Sequence, residues 1–139
     1  MQKIRLLRKR IKEDRPFVLM LQETKCGEQV LKDQMSKLWR GCEVMAIDAL
    51  GATGGVSMIW HPSKVTLHHF LATPFSISAH FMLVDSGIKG VISNIYGPAN
   101  PRVKSRFLDS LEFLAKWVDQ SHWILGGEFN IITSLQEKK

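Results

Sequence analysis

Phe17-Val18-Leu19-Met20-Leu21-Gln22-Glu23-Thr24-Lys25 decides the fold class. Five consecutive apolar residues, closed by Pro16 on one side and polar residues on the other, predict a short strand buried on both faces of a sheet. A second apolar run, His122–Leu125, stands near the other end of the chain and leads into Gly126-Gly127-Glu128-Phe129-Asn130. Each buried-type strand is thus followed by a carboxylate, Glu23 in one case and Glu128 in the other. In α/β proteins ligands collect at the carboxyl ends of strands, so both carboxylates are candidate site residues. Two of them at one rim could share a hard divalent cation. A carboxylate in that position also serves as a solvated loop residue or a helix cap. The pair Gly126-Gly127 permits a sharp turn or a close backbone approach.

Working outward, Gln2–Asp14 reads as a helix, with Ile4, Leu7 and Ile11 on one face and Arg15-Pro16 as its stop. Glu28–Trp39 places Leu31, Met35 and Leu38 on one side and ends at Gly41. Five strand candidates follow: Glu43–Asp48, Val56–Trp60, Val65–Phe70, Ile77–Val84 and Val91–Tyr96. Asp85-Ser86-Gly87 predicts a hairpin turn between the last two. Val103–Val118 is the clearest helix, lined by Phe107, Leu111, Leu114 and Val118, with Pro101 near its start. This order mixes βα units with hairpins and predicts an α/β sandwich with a mixed sheet and flanking helices.

Composition narrows the class. With 139 residues, 45% hydrophobic and 23% charged, the chain has enough apolar material for a core, which argues against whole-chain disorder. No apolar run reaches the ~18–20 residues a bilayer-spanning helix needs, so no membrane association is expected. The basic N-terminus lacks the apolar stretch and cleavage site of a secretory signal. Cys26 and Cys42 are too few for a disulfide scaffold and lack zinc-site spacing, which predicts free thiols in a reducing, intracellular compartment. The five histidines form no motif with metal-ligand spacing. Gly51-Ala52-Thr53-Gly54-Gly55 lacks the lysine of a P-loop. Of the net charge of +6, +5 resides in residues 1–15, through Lys3, Arg5, Arg8, Lys9, Arg10, Lys12 and Arg15 against Glu13 and Asp14. Such a helix can attract phosphate, with Arg8, Lys9 and Arg10 as the candidate contacts, or it can simply be a solvated face.

Three motifs in register carry a resemblance. Leu21-Gln22-Glu23-Thr24-Lys25 resembles the metal-binding signature of the endonuclease/exonuclease/phosphatase family, which includes DNase I-like and apurinic/apyrimidinic endonucleases. Gly126-Gly127-Glu128-Phe129-Asn130 is similar to its Gly-Asp-Phe-Asn motif, with glutamate in place of aspartate. Asn94-Ile95-Tyr96-Gly97-Pro98 resembles its strand-end Asn-(Val/Ile)-Tyr-x-Pro segment. Gly54-Gly55-Val56 and His61-Pro62-Ser63 bring the wording nearest to the endonuclease domain of plant LINE-type retrotransposons.

The resemblance implies a DNase I-like sandwich and Mg²⁺ (or Mn²⁺) as cofactor. It implies DNA or another phosphodiester as substrate, a nuclear location, and nicking that primes reverse transcription. Glu23 would be the metal ligand, and Tyr96 would hydrogen-bond the scissile phosphate. Asn130 would hold the phosphate or the attacking water, and Glu128 would orient or deprotonate that water. These roles agree with the chemistry of metal-assisted phosphoryl transfer. Tyr96 also suits a half-buried strand end, and Asn130 a turn or cap. Asn100 lies one residue away from a family asparagine and is a weaker nucleic-acid candidate.

Measured against the family, residues 1–139 are expected to be a single partial domain. Its first strand, with a metal-site asparagine, and its second half, with a Ser-Asp-His segment, would be missing. On that expectation most of one sheet and a strand or two of the other are present, and the chain is a largely inactive, catalytically dead remnant. Glu128 would also displace its carboxylate by roughly 1.5 Å relative to aspartate, and a misplacement near 1 Å can cost about 100-fold in rate. A competing reading is a small basic nucleic-acid-binding module acting through residues 3–15. Oligomeric state is open.

Overall fold

Leu7 and Ile11 on the first helix, and Leu31 and Met35 on the second, are the apolar stripes that fasten two helices to a sheet. The computed structural model of the chain describes residues 2–22, 27–48 and 55–128. The elements run α1 (Gln2–Asp14), β1 (Val18–Gln22), α2 (Glu28–Leu38), β2 (Glu43–Asp48), β3 (Gly55–Trp60), β4 (Val65–Thr73), β5 (Ser76–Leu83), β6 (Lys89–Tyr96), a 3₁₀ turn (Pro101–Val103), α3 (Lys104–Val118) and β7 (Trp123–Glu128).

Among the described residues these strands form two sheets. The first has the order β1-β3-β2 and is antiparallel throughout. The second has the order β4-β5-β6-β7, with β6 and β7 parallel and the other pairs antiparallel. The expected mixed sheet is therefore the second one. Three strands thus fall in one sheet and four in the other among the described residues.

The two sheets face each other across Val56, Met58 and Trp60 of β3 and Ile77, Phe81 and Ile92 of β5 and β6. Trp60 also meets Phe70 at 5.7 Å between ring centroids. On the outer face of the first sheet, Leu31, Met35, Val44 and Ile59 form a core with α1 and α2 packed over it. On the outer face of the second sheet, Phe107 and Leu114 of α3 pack against Phe75 and Ile95. Removing these side chains from water is the main force that assembles the layers.

Local chemistry sets the joints. Arg15 adopts φ 47 at the end of α1, and Pro16 prevents the helix from continuing. His61 clips the β3–β4 connection: its Nε2 donates to the Arg40 carbonyl at 2.9 Å, and its Nδ1 accepts from Ser63 Oγ at 2.7 Å. Gly41, at φ 87, leaves room for that ring, since a Cβ there would lie 3.0 Å from His61 Nε2. The pairing of β4 with β5 shifts between His68 and Leu71, where His69 holds φ 53 and forms a bulge.

Candidate active site

The site starts from an asparagine in an apolar strand. Asn94 lies in β6 within Val91-Ile92-Ser93-Asn94-Ile95 and is fully buried. A buried amide needs partners, and it finds them across the sandwich. Its Nδ2 donates to the carbonyls of Leu21 (3.0 Å) and Ser57 (2.8 Å), and its Oδ1 accepts from Gln22 Nε2 at 2.6 Å. One side chain thereby ties the carboxyl end of β1 to β6, and Gln22 is the residue immediately before Glu23.

Two residues further along β6, Tyr96 is the register partner of Glu128, the last residue of β7. Neighbouring strands lie about 4.8 Å apart, so phenol and carboxylate rise from adjacent backbone positions. The Gly97 amide donates to the Glu128 carbonyl at 2.6 Å and holds the two strand ends together. Tyr96 is half-buried against the inter-sheet core, while Glu128 is exposed. The carboxyl ends of β1, β6 and β7 thus meet at one rim.

The two glycines before Glu128 make this approach possible. Gly127 holds φ 122, and a Cβ on it would run into the backbone of Ile95 on β6. At Gly126 a Cβ would strike the Met20 methyl on the facing sheet. The sequence pattern predicts a strand that ends at Leu125, with Glu128 beyond it. Instead β7 continues through both glycines to Glu128, because parallel pairing with β6 persists through Gly126, Gly127 and Glu128. Nor is β7 of the buried type: Ile124 is 50% and Leu125 42% exposed.

The other candidates are distributed as follows. Glu23 and Asn130 lie outside the described residues, as does Cys26. Asn100 caps the 3₁₀ turn, its Oδ1 accepting from the Arg102 amide at 3.0 Å. Arg8, Lys9 and Arg10 are exposed on α1, which packs through Leu7 and Ile11 on the outer face of the first sheet. Arg10 is paired with Asp14 at 3.3 Å. The basic helix thus belongs to an outer layer of the sandwich, whereas the rim is built from β1, β6 and β7. The sequence motifs assign no role to Gln22 or Asn94. The signal for Asn94 is an amide within a mostly apolar strand.

A hard cation such as Mg²⁺ keeps most of its water and takes one or two carboxylates. Among the described residues the rim offers Glu128, and no group of three histidine, cysteine or acidic side chains is arranged around a common point. Among the same residues, no helix is long and apolar enough to cross a membrane.

Two facing sheets with helices outside match the DNase I-like fold of solved endonuclease/exonuclease/phosphatase structures. The catalytic domain of human Nocturnin, solved with a bound sulfate anion, superposes with a TM-score of 0.72 at 18% identity, over 99% of this chain and 60% of that one. An endonuclease/exonuclease/phosphatase family protein from Bacteroides thetaiotaomicron gives 0.73 at 17% identity, over 97% and 57%. A mannosyl-6-phosphatase from the same organism gives 0.72 at 17%, over 96% and 59%. The chain therefore spans about 60% of the length of these structures. No family model matches the sequence, and no curated protein matches it.

Proposed function

We propose that the chain is a divalent-metal-dependent phosphodiesterase-type domain of the endonuclease/exonuclease/phosphatase family, with DNA as its substrate. The observation that carries this reading is the pairing of Tyr96 with Glu128 at the rim to which Asn94 and Gln22 tether the end of β1. The three motifs of the sequence support the further reading that the domain derives from a LINE-type retrotransposon and acts in the nucleus.

In this reading Glu23 is the carboxylate that would hold Mg²⁺, which when bound supplies Lewis-acid stabilisation of the phosphoryl oxygens. The Tyr96 hydroxyl donates to a non-bridging phosphate oxygen, and Asn130 holds the phosphate or the water. Glu128 orients the water and accepts its proton. The buried Asn94 amide keeps the β1 end from drifting, so geometry at the rim is paid in advance by folding. Glu128 carries one more methylene than aspartate would, and slow turnover by residues 1–139 is part of the proposal.

Supercoiled plasmid incubated with the purified chain and Mg²⁺ tests this reading, beside Glu23→Gln, Glu128→Gln and Tyr96→Phe. Nicking by the parent chain that both carboxamide variants lose supports it. Nicking that survives both substitutions contradicts it. A gel shift without nicking, steeply salt-dependent and abolished by neutralising Arg8, Lys9 and Arg10, would favour the basic binding module instead.

A further inference from the structure

A second polar concavity lies at the opposite end of the second sheet. It is a cleft of about 450 Å³ lined by His68, His80, Phe81, Met82, Lys89, Gly90, Gln120, Ser121 and His122. Lys89 and Tyr96 stand at opposite ends of β6, seven residues and about 23 Å apart at the rise of a strand. The cleft is therefore separate from the Tyr96–Glu128 rim. The fold assembles it from three connections. His68 and His80 are register partners across β4 and β5, with ring centroids 5.8 Å apart. His122 follows α3, and its carbonyl accepts from the Val91 amide at 2.7 Å. Gly90 admits both the Phe81 ring and that carbonyl, each of which would lie 2.8 Å from a Cβ.

The polar side chains of the lining include no acid, and Phe81 and Met82 add apolar surface. Three imidazoles, one ammonium, one amide and one hydroxyl surround the space, and no carboxylate is among them. We propose that this cleft binds a phosphate-bearing small molecule through His68, His80, His122 and Lys89, as a site distinct from the strand-end rim. Its volume falls within the ~300–1,000 Å³ of small-ligand sites and exceeds what a bare oxyanion fills. Charge-assisted hydrogen bonds from imidazolium and ammonium to a dianion are among the stronger polar contacts available.

The surrounding charges agree with an anion. The His68 imidazole is pushed below its ordinary range by partial desolvation and then by repulsion from His69, His80 and Lys89. A bound dianion relieves that repulsion, so binding and protonation reinforce each other. On α3, Trp117 contacts His80 at 5.0 Å between ring centroids, and Lys116 pairs with Glu112. Asp119 ends the helix but does not line the cleft. The carboxyl end of α3 contributes a weak opposing dipole confined to the last turn. Its carbonyls at Ala115 and Val118 already accept from the amides of Asp119 and Ser121. A cation is the poorer fit, because Lys89 adjoins the imidazoles and, among the described residues, no group of three histidine, cysteine or acidic side chains could hold a metal ion.

Imidazole NMR of the 139-residue chain tests the site. One arm uses sulfate, a dianion of constant charge across the histidine range. The other uses adenosine 5′-monophosphate. The expected result is saturable movement of His68, His80 and His122, tighter at about pH 6 than at about pH 8. Lys89→Gln should weaken it by roughly tenfold with the amide spectrum intact. Saturation by both probes assigns recognition to the oxyanion, and saturation by the nucleotide alone assigns it to the phosphomonoester with its nucleoside. Linear shifts shared by His61, which is clipped to Arg40 and Ser63, would reduce the effect to ionic strength and overturn the site. Movement of the three rings with Zn²⁺ and with neither anion would overturn it too.

Discussion

Gln22 on β1 donates to the fully buried amide of Asn94 on β6 at 2.6 Å, and this bond crosses from one sheet to the other at the rim where Tyr96 and Glu128 pair. The positions of the two sheets are thus coupled, through one polar side chain, to the position of the candidate site.

Asn94→Ala should cost about 2–4 kcal/mol, because it removes three hydrogen bonds that join the two layers, those to the Leu21 and Ser57 carbonyls and that from Gln22. Urea unfolding measures the loss. Gln22→Ala removes only the outermost bond and should cost about 1 kcal/mol. Equal costs for the two would show that Asn94 is not the anchor.

The adjacent glycines should respond differently. Gly127→Ala meets both a positive φ and the Ile95 backbone, neither of which can yield, and should destabilise by about 2–3 kcal/mol. Gly126→Ala meets the end of the flexible Met20 side chain and should cost about 1 kcal/mol. Thermal unfolding of both variants decides the order.

Ser57→Ala should be neutral or should stabilise by about 1 kcal/mol. Its Oγ is buried and finds no hydrogen-bond partner among the described residues, so the alanine variant removes a desolvation cost. A clear loss of stability would reveal a partner for that hydroxyl.

Stability should also fall with acid through His68. Its folded-state imidazole is shifted down, so as pH drops below about 6.5 the unfolded chain takes up the proton first. The contribution of the neutral ring is complete above that pH and is lost between it and the lowered value. His68→Gln should flatten this part of the curve of melting temperature against pH, and an unchanged slope would remove His68 from the account.

What was legible in the sequence follows the range of the interactions involved. Gln2–Asp14 and the buried face of α3 are local periodicities, and the structure reproduces both. The division of the strands into β1-β3-β2 and β4-β5-β6-β7 depends on pairing between distant segments, and no local pattern encodes it. Gly126-Gly127 reads in the sequence as either a sharp turn or a close backbone approach, and the structure shows the second. Here the missing Cβ atoms serve close packing against Ile95 and Met20, and the strand runs on. Tyr96 and Glu128 are singled out by motifs, whereas Asn94 shows only as an amide in a mostly apolar strand whose partners appear once the sheets are assembled. The cleft of histidines was illegible for the same reason: His68, His80 and His122 belong to three elements brought together by register and by the return from α3.

The most direct test of the central claim is paramagnetic broadening of backbone amides by Mn²⁺ at substoichiometric concentration, on the parent chain and on Glu23→Gln. The expected result is early loss of the signals of Gln22, Tyr96, Gly97 and Glu128, with α1 and the Leu83–Ile88 turn unaffected, and recovery of those signals in the variant. Broadening centred on α1 or on the histidine cleft, or a pattern at the rim that Glu23→Gln leaves intact, would contradict a metal-assisted site at the ends of β1, β6 and β7.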